Sequence, residues 1–295
     1  MLSVKTGISS EEVLHQHVLF VEGNDANALD PTVLKELFDP PLRIESLGAS
    51  FSVKSVAEAL HPHHPTYYFL IDRDHHDNDF VNRCWHNFPD PDTYNLLIWR
   101  RREIENYFLE SDYLIQSQYC RVEKDDLEQQ ILQFANKRLF LDAANHVIIS
   151  IREELKRNWI EKFSNPDEFS SKEKALEKLK DANEFEQHRT NVENRVSVEE
   201  VERRFCECLA AMTSDQEQLA YDQGDWLDMV GGKKILSEVI NSGSFQVIAS
   251  DGTALQGSEK LYRVVKDLLR QAEDVQPADF VELKRLITRR IDEMN

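Results

Sequence analysis

An α/β fold built on a parallel sheet flanked by helices is what this sequence predicts, from three observations. Two runs of bulky residues, His17-Val18-Leu19-Phe20-Val21 and Tyr67-Tyr68-Phe69-Leu70-Ile71, stop abruptly at acids, Glu22 and Asp72. Near-continuous apolar runs of this length read as strands buried on both faces, the pattern of parallel strands covered by helices. Segments of helical period lie between them. Finally, residues 111 to 221 contain no glycine and are dominated by Glu, Lys, Gln and Leu, which predicts long helices and a large all-helical insertion.

In chain order, residues 1 to 13 are polar and form a leader or short helix before the first strand, which ends at Glu22-Gly23. The turn formers from Asn24 onward lead to Asp30-Pro31, a good N-cap followed by proline at the first helical position. Val33, Leu34, Leu37 and Phe38 recur at helical spacing until Asp39-Pro40-Pro41 ends the helix. Leu42 to Leu47 alternates as an edge strand, and Gly48-Ala49-Ser50 turns into a helix carrying Val53, Val56, Ala57 and Leu60. After the Tyr67–Ile71 strand, His75 to Asp79 is a polar loop entering a short helix around Phe80 to Trp85. Tyr94 to Trp99 is the next strand, followed by the dense charged segment Arg100 to Leu109. Within the glycine-free stretch, Asn165-Pro166-Asp167 breaks one helix and Ser197-Val198-Glu199-Glu200 starts another. Gly224, Gly231 and Gly232 then return, and amphipathic helices over about 257 to 272 and 277 to 293 follow.

A chain of 295 residues with 41% hydrophobic content has material for a sizeable core. No apolar run approaches the roughly 20 residues of a membrane span, and the first residues lack a signal peptide's apolar stretch, so a cytoplasmic location is expected. Four cysteines without a C-x-x-C pair suit a reducing compartment, and Cys206-x-Cys208 reads as incidental thiols. The net charge of −19 argues against strong unaided binding to a phosphate backbone, although a local basic patch, divalent cations or a basic partner reverses the potential where it matters. His61, His63, His64, His75 and His76 have no acid or cysteine at zinc-site spacing and read as solvated loops, with His75 and His76 near enough to the acids to touch substrate.

Chemistry concentrates in the acids. Ligands of open α/β sheets bind outside the carboxyl ends of the strands, where Glu22, Asp72 and Asp74 fall. Together with one of Glu103 or Glu105, these carboxylates need a compensating cation, since like charges about 4 Å apart repel by about 1 kcal/mol in water and about four times that near a protein surface. All-oxygen ligands with positions left for water and phosphate suit Mg²⁺ or Mn²⁺ rather than Zn²⁺. Such a site can activate water for phosphodiester cleavage. Arg100, Arg101 and Arg102 read either as a solvated charge run or, for Arg101 and Arg102, as substrate-phosphate contacts. Gly231-Gly232-Lys233-Lys234 lacks the earlier glycine of a phosphate-binding P-loop, so ATP hydrolysis by this chain is not expected.

The Val21-Glu22-Gly23 box and the Asp72-Arg73-Asp74 pair resemble the two signatures of Toprim domains. Arg102-Glu103-Ile104-Glu105-Asn106-Tyr107 is similar to the R-x-I-E-N-Y segment of their OLD-like nuclease branch, and Gly231 to Lys234 is similar to its late Gly-Lys element. Among its members the chain most resembles the stand-alone Toprim effectors of PARIS-type anti-phage systems, which act beside an ABC-type ATPase. The resemblance implies a Toprim-type sheet with Glu22 as metal ligand or general base, Asp72 and Asp74 as metal ligands, and Glu105 completing the site. Lys233 or Lys234 would stabilise the transition-state phosphate. One departure is Ala26, where OLD-type nucleases often carry a second acid, with Asp25 one residue earlier; one metal or two stays open. The domains expected are residues 1–112, the first part of the core; 113–222, a helical insertion for docking or self-association; and 223–295, which completes the core. The implied function is a Mg²⁺-dependent endonuclease acting on RNA, such as tRNA, or on DNA, held by a partner ATPase and dimeric when active. The alternatives are a non-catalytic interaction module and a Toprim-type primase or phosphotransferase subunit.

Overall fold

Four parallel strands form one sheet in the order β2-β1-β3-β4: β1 Val18–Val21, β2 Arg43–Ser46, β3 Tyr67–Ile71 and β4 Leu96–Ile98. The structure, a computed structural model, describes residues 17–23, 29–38, 42–60, 63–74, 76–88, 95–157 and 165–294. The leader at 1–13, the turn formers from Asn24 to Ala28, Asp39-Pro40-Pro41, His61, His75 and Tyr94 lie outside the described residues. β1 and β3 are central and, apart from the half-buried Phe20 and Tyr67, their apolar side chains are buried, as the uninterrupted runs require; β2, with its alternating sequence, takes an edge.

Helices α1 (Leu29–Leu37), α2 (Ser50–Leu60) and α3 (Asn78–Asn87) connect the strands. α1 begins at Leu29, so Asp30 stands inside the first helical turn and is not the N-cap expected of it. α3 is longer than the Phe80–Trp85 expectation because Asp77 caps it, its side chain accepting the Phe80 N–H at 2.8 Å. β4 is shorter than expected. Asn95 adopts a left-handed φ of 50° and its Nδ2 donates to the carbonyls of Pro65 and Tyr67 at 3.2 and 3.1 Å, so the chain turns there and enters the sheet only at Leu96.

Beyond β4 a 3₁₀ turn, Ile104–Leu109, leads to the 34-residue helix α4, Lys124–Arg157. Leu127, Ile131, Ala135, Leu139 and Ala143 recur every four residues along α4 and join the same hydrophobic core as the sheet. α5 (Lys172–Lys180) and α6 (Asn183–Arg195) have no buried residue, whereas α7 (Val198–Thr213) packs back on α4. Ser197 caps α7 by accepting the Glu200 N–H at 3.2 Å, the helix start that the sequence predicts, and where a helix break is expected Asn165 caps the 3₁₀ turn Pro166–Phe169. α8 (Gly232–Asn241), α9 (Gly257–Leu268) and α10 (Ala278–Met294) complete the core. Trp99, Tyr107 and Phe280 cluster with ring centroids 5.1 to 5.8 Å apart and fasten the carboxyl end of β4 to α10. All four cysteines are free. No helix of the described residues is long and apolar enough to cross a membrane.

Candidate functional site at the carboxyl edge of the sheet

β1 and β3 run side by side in register, Val21 against Leu70, so Glu22 and Asp72 emerge as neighbours. The chain leaves β1 toward β2 on one side and β3 toward β4 on the other. That divergence is a topological switch point, which leaves a crevice between the two strand ends. Glu22 is held in it by backbone donors: the N–H of Ser50 at the start of α2 and, at 3.4 Å, the N–H of Asp72. A carboxylate at a helix N-terminus is favoured by the aligned peptide dipoles.

The 3₁₀ turn after β4 brings in more acid. Asn106 organises it: its Oδ1 accepts the Glu103 N–H at 3.2 Å, and its Nδ2 donates to the carbonyls of Leu227 and Val230 at 2.8 and 2.9 Å. This clamps the turn to the Gly231-Gly232 corner. A Cβ on Gly232 would lie 2.3 Å from Asn106 Oδ1, so only glycine permits so close an approach. α8 therefore starts against the turn, and the Lys233 N–H donates to Glu103 Oε2 at 2.8 Å. Asp142, buried on α4, accepts the Gly231 N–H at 3.1 Å and supports the corner from behind.

The acids so gathered resist ionisation. Burial, and then the charges of Asp30, Glu22, Glu105 and Glu103, push the Asp72 pKa well above the usual carboxylate range. Among the described residues its Oδ1 is buried without a hydrogen-bond partner. Burial, with Asp30 and Glu103 nearby, raises Glu105 to about 8 against the pull of Lys233. Asp30 is raised to about 7, by burial first and then by Glu22 and Glu103. Glu22 is raised by burial and by Asp74, opposed by its two backbone donors and by Lys54. Carboxyls that repel one another in this way invite a cation. The donor set is all oxygen and includes an orphaned buried carboxyl oxygen, so its chemistry fits Mg²⁺ or Mn²⁺. Among the described residues no three His, Cys, Asp or Glu side chains converge at ligand spacing.

Asp72 nevertheless stands within electrostatic reach of both Glu22 and Glu105, and the three form one acidic region without closing to ligand spacing. Asp74, exposed at a φ of 47°, stands at its flank, within electrostatic reach of Glu22, and faces a cleft of about 410 Å³ lined also by Arg73, Arg102, His146 and Asp228. Lys233 and Lys234 are both exposed on the first turn of α8, and it is the Lys233 charge that Asp30 and Glu105 feel. Arg101 and Arg102 are engaged internally. Arg101 pairs with Glu110 at 2.7 Å and Asp228 at 3.3 Å and lies over the Tyr107 ring; Arg102 donates to the Met229 carbonyl at 3.0 Å. Arg100 pairs with Asp279 and Glu282 on α10. These long-range pairs explain the density of arginines at 100–102.

Three members escaped the sequence reading. Asp30 was masked by its resemblance to a cap; the available signal was an acid beside proline just after a strand-end glutamate. Glu103 and Glu105 both join the cluster, where the sequence distinguished only one or the other. Lys54, in the second turn of α2, gave no local signal. No family model, curated protein or solved structure matches this chain.

Proposed function

We propose that the acidic crevice is the active site of a metal-dependent nuclease of Toprim type and OLD-like branch. The observation that carries the reading is the buried, unpartnered Oδ1 of Asp72 at the switch point, surrounded by Glu22, Asp30, Glu103 and Glu105. Glu22, Asp72 and Glu105 would hold Mg²⁺ or Mn²⁺, with Asp74 at the flank. Asp30 supplies an acid that the sequence pattern lacks at Ala26. When bound there, such an ion would neutralise charge and lower the pKa of a water for attack on the phosphodiester. Glu22, kept oriented by two backbone N–H groups, would accept a proton from the attacking water. Lys233 supplies positive charge for the phosphate oxygens as the transition state forms.

The remaining parts of the reading follow from the resemblance and the charge. The substrate is RNA, such as tRNA, or DNA, the setting is cytoplasmic anti-phage defence, and an ABC-type ATPase holds the chain until it is released or dimerises. A net charge of −19 weakens the free chain's encounter with nucleic acid and favours a basic partner. Phe140, Leu141 and Ile148, apolar and more than half exposed on α4, lie in the helical region proposed for docking or self-association. The test is incubation of the purified chain, alone and with the ATPase, with RNA and DNA in Mg²⁺, Mn²⁺ or EDTA. Cleavage that needs metal and disappears in Glu22→Gln is expected; full activity of Glu22→Gln would sink the assignment.

A further inference from the structure

Beside the acid cluster, α2 and α3 leave a groove of about 420 Å³, a volume within the range of small-molecule sites. Its apolar surface is Ala57, Leu96 and the half-buried ring of Phe80. Its cations are Lys54 and Arg83, the Arg83 guanidinium standing 5.9 Å from the Phe80 ring centre. Lys54 Nζ lies 2.7 Å from His76 Nε2, and the His76 ring is 5.5 Å from that of Phe80. Among the described residues two acids also line the groove. Asp77 is committed to capping α3, and Glu58 lies one helical turn beyond Lys54, away from the start of α2. His76 and Asp77 line both this groove and the cleft that Asp74 faces, so the groove opens beside the acids, and the Lys54 charge is felt by Glu22.

We propose that this groove is a nucleotide subsite. It takes one unpaired nucleotide of a single-stranded substrate, phosphate against Lys54 and base against the Phe80 ring, next to the linkage held at the acids. Aromatic faces flanked by cations bind unstacked bases, whereas a base in a duplex is already stacked and paired. The lining shared with the Asp74 cleft, His76 and Asp77, makes the nucleotide continuous with the reacting phosphate. The inference rests on the nuclease reading for what happens next to the groove, but not for binding itself.

The test uses full-length Glu22→Gln chain in Mg²⁺ and fluorescence anisotropy with single-stranded RNA, single-stranded DNA and blunt duplexes of equal length; the RNA and DNA arms identify the sugar. Single strands are expected to bind more tightly than duplexes. Phe80→Leu and Lys54→Ala should each weaken single-strand binding about tenfold, with Lys54→Arg recovering most of the loss. Lys54→Ala should also lower the slope of log affinity against log salt by about one. Arg83→Ala, at an exposed position, is the second groove variant should Phe80→Leu fail to fold. Equal binding of duplex and single strand, or parental affinity in both Lys54→Ala and Arg83→Ala, overturns the subsite. A parental chain that binds single strands through Lys54 and Phe80 yet cuts nothing in any metal keeps the subsite and removes the nuclease. One that cuts with metal while the groove variants bind and cut normally does the reverse.

Discussion

Replacing Glu105 by Gln removes a charge from the self-repelling cluster while keeping the shape of the side chain. The parental carboxyl is raised from 4.5 to about 8, chiefly by burial. A carboxyl with a raised folded pKa contributes stability that is fully present below 4.5 and is lost as pH rises toward about 8. By pH 7 the unfolded chain has shed a proton that the folded chain retains; at 1.36 kcal/mol per pH unit this amounts to about 3 kcal/mol. Neighbouring acids share protons and relax, so the gain on substitution should be about 1–3 kcal/mol. At about 2 °C per kcal/mol for a chain of this size, Glu105→Gln should melt about 2–6 °C higher than the parent at pH 7.5 in EDTA. Near pH 4.5 the two should coincide. Saturating Mg²⁺ should narrow the gap at pH 7.5, because it stabilises the parent by binding the carboxylate. Thermal unfolding followed by circular dichroism across pH 4.5 to 8 measures all three. A variant that melts below its parent at pH 7.5, or a gap independent of pH, refutes the reasoning.

Lys233→Ala should lower turnover about a hundredfold with little change in KM, while Lys234→Ala cuts at the parental rate, because it is Lys233 whose charge reaches Asp30 and Glu105. Steady-state cleavage assays on the two single variants decide this; loss in Lys234→Ala alone would reverse the assignment. Gly232→Ala drives a Cβ to 2.3 Å from Asn106 Oδ1 and should cost about 1–3 kcal/mol in denaturant unfolding. An unchanged midpoint would mean that the turn and α8 separate without penalty. Asp142→Ala strips the partner from Arg138, which it accepts at 2.9 and 3.1 Å, and from the Gly231 N–H. It should lower stability by about 1–3 kcal/mol in the same measurement, and an unchanged midpoint would show this half-buried pair to be dispensable.

The sequence by itself determined the strands and many of the helix boundaries, because these depend on local pattern. Tyr67 to Ile71 is too uniformly apolar to face water on either side, and Ser197 followed by Glu200 starts a helix wherever it lies. It also placed Glu22 and Asp72 at strand ends. Tertiary structure alone decided which strand ends meet. The order β2-β1-β3-β4 sets β1 against β3 and makes their ends the switch point, and strand order leaves no mark on the period of any one strand. The same holds for Asp30, whose place in α1 reads as a cap until the helix is packed beside the crevice. It holds for Lys54, one turn into a helix of otherwise ordinary sequence. Asn106 reaches Val230 across 124 positions of chain, and through that contact Lys233 arrives at the acids; hydrophobic periodicity reports only neighbours a few residues apart, so a contact at that separation is settled by packing.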